Sequence, residues 1–261
     1  MRPPIRLVLS LCIAVAGCAA VTGQITPAAI APSGYLSAAT ASAVLADLPP
    51  PPAAGSPEDQ ADRRAYLETR ALEDTPRWTA AQADAELDPA FAPTLFDCAL
   101  GAHVTPAEAP ALTRLFARSL ADTIDAWTVA KTKWFRTRPY LEAPGAVCVR
   151  TSPEVDQSSA YPSGHAAAGW LWARVMADLA PDRAEALLAQ GKRIGDSRVV
   201  CGLHHPSDVE AGRKLGDAIY DKLMADPAFQ ADLTAARAEV GAARAKGVVN
   251  PVCAAQADAA R

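Results

Sequence analysis

From Leu112 onward, apolar side chains recur at Phe116, Leu120, Ile124 and Trp127, steps of three and four that place them on one face of an α-helix. A stripe of that length must be buried against other elements, so this segment predicts the central helix of the fold. Thr105, Pro106 and Glu108 occupy the N-cap, first and third positions of a capping box, and predict the helix start there. The next step along the stripe reaches Lys131, and Pro139 closes the region. A lysine on a buried stripe is costly unless something anionic meets it, so the same pattern that predicts the helix marks a candidate anion site.

Other helical patterns run from Pro57 to about Arg70 and from Thr79 to Leu87. Further on they run from Ser163–His165 to Leu179, from Asp182 to Arg198, from Pro206 to Met224, and from Ala231 to Lys246. Aromatic residues make up only 6% of an alanine-rich chain, and no alternating stretch argues for a sheet, so the expected fold class is all-α. Arg2 and Arg6, then the apolar run Leu7–Ala16, then small residues at Gly17–Ala20, have the three-part form of a secretory leader. The expected organisation is a leader over 1–20, a Pro/Ala-rich arm over 21–60 containing Pro49–Pro52, and a helical domain over 61–261. The order Val15-Ala16-Gly17-Cys18 also resembles a bacterial lipobox, with a lipid anchor at Cys18 as the alternative to cleavage near Ala20 or Gly23. No later stretch approaches the roughly 18 apolar residues that a membrane span requires. Cys98, Cys148, Cys201 and Cys253 remain beyond the leader; an even number in an exported chain favours two disulfides, with three pairings open and close zinc-ligand spacing absent. The net charge of −4 argues against nucleic acid as a partner.

Three segments place cations, histidines and a carboxylate where packing alone would not want them: Lys131 to Arg138-Pro139, Pro162-Ser163-Gly164-His165, and Ser197-Arg198 to His204 and Asp208. Taken singly, each has a plain explanation: a solvated face, a helix cap, a surface pair at i, i+4. In this order and spacing they match the three-part signature of the type 2 phosphatidic acid phosphatase superfamily. The stretches Tyr161–His165, Gly195–His204, Ser207-Asp208-Val209 and Gly212-Arg213 are similar to the bacterial class A non-specific acid phosphatases, as are Pro49–Pro52, Asp62-Arg63 and Thr75-Pro76-Arg77-Trp78 upstream. The sequence departs from that pattern at Ala166, where Thr is common, and at His205, where an aromatic is frequent. The resemblance implies a single-domain helical bundle with the active site between core helices, and a metal-independent acid phosphatase that takes small phosphate monoesters without a cofactor. It implies His204 as nucleophile, His165 as general acid, Asp208 as partner of His204, and Lys131, Arg138, Ser163, Gly164 and Arg198 as the phosphate cradle. A periplasmic or secreted location follows from the leader, with membrane contact only through a Cys18 anchor, and a homo-oligomer is compatible with the pattern.

Physical chemistry agrees with that assignment. A transferring phosphoryl group spreads charge over three equatorial oxygens, so it calls for cations around the equator and an in-line nucleophile and acid. A neutral imidazole supplies the nucleophile and a protonated one the acid, which favours a mildly acidic optimum. His103 is expected to be structural, and His205 to be a surface residue or, as the alternative, part of the pocket lining. The rival readings are a vanadium haloperoxidase, a membrane lipid phosphatase and a phosphate binder without chemistry; only the last needs neither His204 nor His165.

Overall fold

In the computed structural model, residues 33–253 are described; the leader, Cys18 and part of the 21–60 arm lie outside them. Eleven α-helices and three short 3₁₀ turns make up the described chain, with no strand among the described residues. They are α1 (Ala38–Ala43), α2 (Pro57–Thr69), α3 (Pro76–Ala83), α4 (Asp97–Leu100), α5 (Pro110–Lys133) and α6 (Pro139–Glu142). After these come α7 (Pro153–Gln157), α8 (Gly164–Leu179), α9 (Ala184–Val200), α10 (Pro206–Leu223) and α11 (Pro227–Lys246). Proline at a first helical position is preorganised for the helix and gives up an N–H that would have no partner, which is why most of these helices open at one.

The expected start at Thr105 is corrected. Thr105–Glu108 forms an isolated turn, and α5 begins at Pro110, because the residue before a proline is pushed out of the helical region; Ala109 sits at φ −132°, ψ 61°. With no local cap, the free N–H groups of Ala111 and Leu112 donate instead to the Glu239 carboxylate on α11, each at 3.0 Å. A residue more than a hundred positions away thus supplies the cap and the favourable charge at the helix N-terminus. The stripe also turns from its expected line: Ile124 is exposed, whereas Leu115, Ser119, Thr123, Ala126 and Ala130 are buried. Ser119 and Thr123 are tolerated inside because their hydroxyls donate to the Phe116 and Ser119 carbonyls, and Ser119 accepts from the Trp172 indole at 3.2 Å.

The core is layered around α8, which packs against α9 on one side and α10 on the other, while α5 pairs with α11. Phe116 stacks on Trp172 with ring centroids 4.7 Å apart. The α8 contacts need glycine. A Cβ at Gly191 would lie 2.2 Å from the Ala173 Cβ, and one at Gly212 would lie 2.4 Å from the Ser163 carbonyl oxygen. Further ties fix the periphery: Asp122 accepts from the Tyr35 and Leu36 N–H groups at 3.0 and 2.9 Å, and Asp97 bonds His103 at 2.5 Å and Asn250 at 2.8 Å. The expected structural role of His103 is this one. The disulfides pair Cys98 with Cys253 and Cys148 with Cys201, choosing among the three arrangements left open.

Close approach at Gly212 yields a paired prediction. Gly212→Ala forces α10 off the start of α8 and costs about 1–3 kcal/mol, lowering Tm by several degrees in calorimetry. Gly241→Ala on α11, where a Cβ meets nothing within 4 Å, gains up to about 1 kcal/mol from helix propensity alone. Equal or reversed shifts for the two variants contradict this account of the packing.

Candidate active site

A cavity of about 540 Å³ opens where the end of α5, the loop before α6, the start of α8 and the loop before α10 converge. Lys131, Arg138, Gly164, His165 and His204 all line it, with Trp127, Leu87 and Phe135 forming an apolar flank. Two of the three sequence segments are stitched by the main chain: Ser163 N–H donates to the Asp208 carbonyl at 2.9 Å, which fixes the start of α8 on the start of α10.

His204 is buried, and its ring is held at both nitrogens. Nδ1 lies 2.8 Å from the Ala160 carbonyl oxygen, which can only accept, so Nδ1 carries the proton. Nε2 lies 3.3 Å from Arg138 Nη1, which can only donate, so Nε2 carries the lone pair. Burial pushes this imidazole down; Asp208 pulls it back up, Arg138 opposes that, and the balance is about 3, so the ring is neutral over the ordinary pH range. Asp208 meets this ring as a charge rather than as its hydrogen-bond acceptor: Oδ2 lies 3.8 Å from Nδ1, and the hydrogen bond that fixes the tautomer goes to Ala160. Asp208 is itself fully enclosed, accepting from the His205 N–H at 2.8 Å and from Arg136 Nη1 at 2.7 Å. Burial raises its carboxyl, but His204 and Arg136 outweigh that and bring it to about 2.

The cations are restrained to different degrees. Arg138 donates to the Val155 and Leu203 carbonyls at 2.8 and 3.2 Å and to Ser158 Oγ at 2.8 Å. Lys131 Nζ donates to the Ser159 carbonyl, and burial, followed by repulsion from Arg138, pushes its amine down to about 7. Arg198 is 3% exposed, and its Nε and Nη1 have no hydrogen-bond partner among the described residues. Burial and then Arg138 bring its guanidinium down to about 10, still charged at neutral pH. Buried guanidinium donors aimed at nothing in the protein are the mark of an oxyanion cradle.

His165 Nε2 lies 3.2 Å from the Ala85 carbonyl, so Nε2 is the donor and Nδ1 the atom that gains or loses a proton. Burial, then the charge of Arg198 and the neighbouring His204, hold this imidazole well below its ordinary value. Ser163 is fully buried as the N-cap of α8, with the Ala166 N–H donating to its Oγ at 3.4 Å; the cavity wall at this point is Gly164. A Cβ at Gly164 would lie 2.5 Å from the Trp127 ring, which explains glycine there independently of any ligand. His205 is corrected from a surface residue to a buried one, 1% exposed, on the wall of a separate small cavity beside Tyr66 and Pro139. Arg136 was missed by sequence reasoning; the available signal was a further arginine between Lys131 and Arg138, three residues before a proline.

Residues 112–220, a span holding all three motif segments, match the sequence model of the PAP2 superfamily. The chain is 36% identical over 198 residues to an acid phosphatase of Zymomonas mobilis subsp. mobilis, covering 76% of this chain and 75% of the relative. It is 35% identical over 196 residues to a non-specific acid phosphatase of Salmonella typhimurium, covering 74% of this chain and 78% of the relative. A non-specific acid phosphatase of Providencia stuartii is 35% identical over 207 residues, covering 78% of this chain and 84% of the relative. Similarity of this extent runs well past the motif region into the flanking helices, and the chain belongs to the PAP2 superfamily, with the bacterial non-specific acid phosphatases.

Proposed function

We propose that this acid phosphatase hydrolyses a broad range of phosphate monoesters without a metal ion, through a phosphoryl group carried on His204. The observation that carries the reading is the ring of His204, locked with its lone pair on Nε2 toward a pocket lined by Lys131 and Arg138 and backed by Arg198. In the first step Nε2 attacks phosphorus, the P–O ester bond breaks, and the leaving alkoxide takes a proton from His165. In the second step water attacks the phosphohistidine, His165 receives the water's proton, the P–N bond breaks, and phosphate is released. Lys131, Arg138, Arg198 and the Gly164 N–H stabilise the equatorial oxygens throughout.

The low proton affinity of His165 in the free protein fits this role once substrate charge is included. A phosphate ester placed among the cations offsets the charges that depress His165, so the ester itself brings the acid into its protonated form. His204 must be neutral and His165 protonated, which places productive turnover on the acidic side. Among the described residues, no group of three or more His, Cys, Asp and Glu side chains converges as a metal site, and the protein's own cations stand where a metal phosphatase would use its ions. The two disulfides support an exported enzyme working in an oxidising compartment.

Steady-state kinetics on a panel of esters in excess chelator tests the proposal. Wild type hydrolyses alkyl and aryl phosphates alike, whereas His165→Ala loses about 100-fold or more on alkyl phosphates and much less on p-nitrophenyl phosphate, whose leaving group departs unprotonated. Chelator-dependent loss of wild-type activity, or equal losses on both ester types in the variant, contradicts the mechanism.

Lys131 gives a pH test. Its amine loses charge as pH rises through about 7, whereas arginine keeps its charge, so the ratio of kcat/KM for Lys131→Arg over wild type climbs as pH goes from about 6 to about 8, even if the variant is slower at every pH. A flat ratio means that Lys131 does not titrate in the free enzyme.

A further inference from the structure

Arg136 lies in the loop between α5 and α6, outside the cavity wall and outside the three-part motif, yet its guanidinium makes four hydrogen bonds, three of them to carboxylates. Nη1 donates to Asp208 Oδ1 at 2.7 Å and to Ser207 Oγ at 2.7 Å. Nη2 donates to Asp62 Oδ2 at 2.9 Å and to Asp59 Oδ1 at 3.1 Å, both on α2. Asp62 closes the circuit by accepting from the Ser207 N–H at 3.0 Å and from the Ser207 hydroxyl. The main chain of the same residue does a second job. Its carbonyl accepts from the Ala160 N–H at 2.8 Å and its N–H donates to Ser159 Oγ at 3.0 Å. The Ala160 peptide so held is the one whose carbonyl receives the Nδ1 proton of His204.

We propose that Arg136 is a positioning residue, which holds His204 in its reactive tautomer from two sides: through its main chain by way of Ala160, and through its guanidinium by way of Asp208. The proposal rests on His204 being the nucleophile. Three carboxylates around one guanidinium, all nearly buried, make a poor stability device, since the cost of desolvating such ions commonly matches or exceeds their attraction. What the arrangement supplies is geometry. Asp208 has one oxygen fixed by Arg136 and the other by the His205 N–H, so its charge stays 3.8 Å from Nδ1, where an imidazolium develops as Nε2 bonds to phosphorus. Through Asp59 and Asp62, α2 becomes part of the catalytic support although it lies outside the 112–220 superfamily region. Among the described residues the guanidinium bonds Ser207, Asp208, Asp59 and Asp62 and none of Lys131, Arg138 and Arg198, so Arg136→Ala removes no hydrogen bond of the phosphate cradle itself.

The test separates kcat from binding. Arg136→Ala is expected to lower kcat by about 10- to 100-fold, the usual cost of losing such an orienting partner, with KM and the inhibition constant of inorganic phosphate within about twofold of wild type. Added guanidinium ion should restore part of kcat to Arg136→Ala and do nothing to wild type. Asp62→Asn, which keeps the shape and removes one acceptor's charge, should show a smaller loss in kcat at unchanged KM, and decides the matter if Arg136→Ala does not fold. Wild-type kcat in the folded variant, or a loss confined to KM and phosphate affinity, overturns the proposal. If rapid-quench labelling shows that wild type forms no phosphohistidine, the reaction scheme falls and this proposal falls with it; if wild type forms it and Arg136→Ala forms it equally fast, only the role of Arg136 falls.

Discussion

The rest of the structure answers to one constraint: Arg138 and Arg198 are buried and Lys131 half-buried close to one another, with no carboxylate bonded to any of them among the described residues. Clustered positive charge away from water opposes folding. The protein meets that cost unevenly. Arg138 is tied down by two carbonyls and a hydroxyl, Lys131 by one carbonyl, and Arg198 by nothing through Nε and Nη1. In the proposed reading, the less a cation is satisfied by the protein, the more it gains from a phosphate oxygen, and the cluster acts as a store of binding energy held in place by the helices around α8. The tight glycine contacts of α8 with α9 and α10 supply the rigidity that such a store demands.

A second consequence concerns protons. Burial, with Arg198 and His204 at His165 and Arg138 at His204, depresses both imidazoles, which favours the neutral form that a nucleophile needs and disfavours the protonated form that an acid needs. In the proposed reaction the negative charge of a phosphate ester works against that depression at His165. Burial alone would raise Asp208, but His204, Arg136 and the His205 N–H outweigh it, and the carboxylate stays ionised.

Sequence reading reached the all-α fold, most helix bounds and the gathering of Lys131, Arg138, Gly164, His165 and His204, because those features are local: periodicity, proline stops and short motifs with fixed spacing. What it missed was non-local. The cap of α5 comes from Glu239, which no window around Thr105 contains, and Pro110 overrode a well-formed capping box. The acceptor for His204 Nδ1 is a backbone carbonyl, and a carbonyl leaves no trace in residue identity. Arg136 and His205 resemble ordinary polar residues until α2 and α10 close over them. Disulfide pairing was likewise a matter of which loops meet.

The central claim is that the lone pair of His204 Nε2 performs the displacement. Rapid acid-free quench of the enzyme with a ³²P-labelled monoester, followed by peptide mapping, tests it most directly. The account predicts an acid-labile, alkali-stable label on the peptide carrying His204, absent from His204→Ala and long-lived in His165→Ala, where the second step lacks its base. Label found on Ser163, or ordinary turnover by His204→Ala, would contradict it.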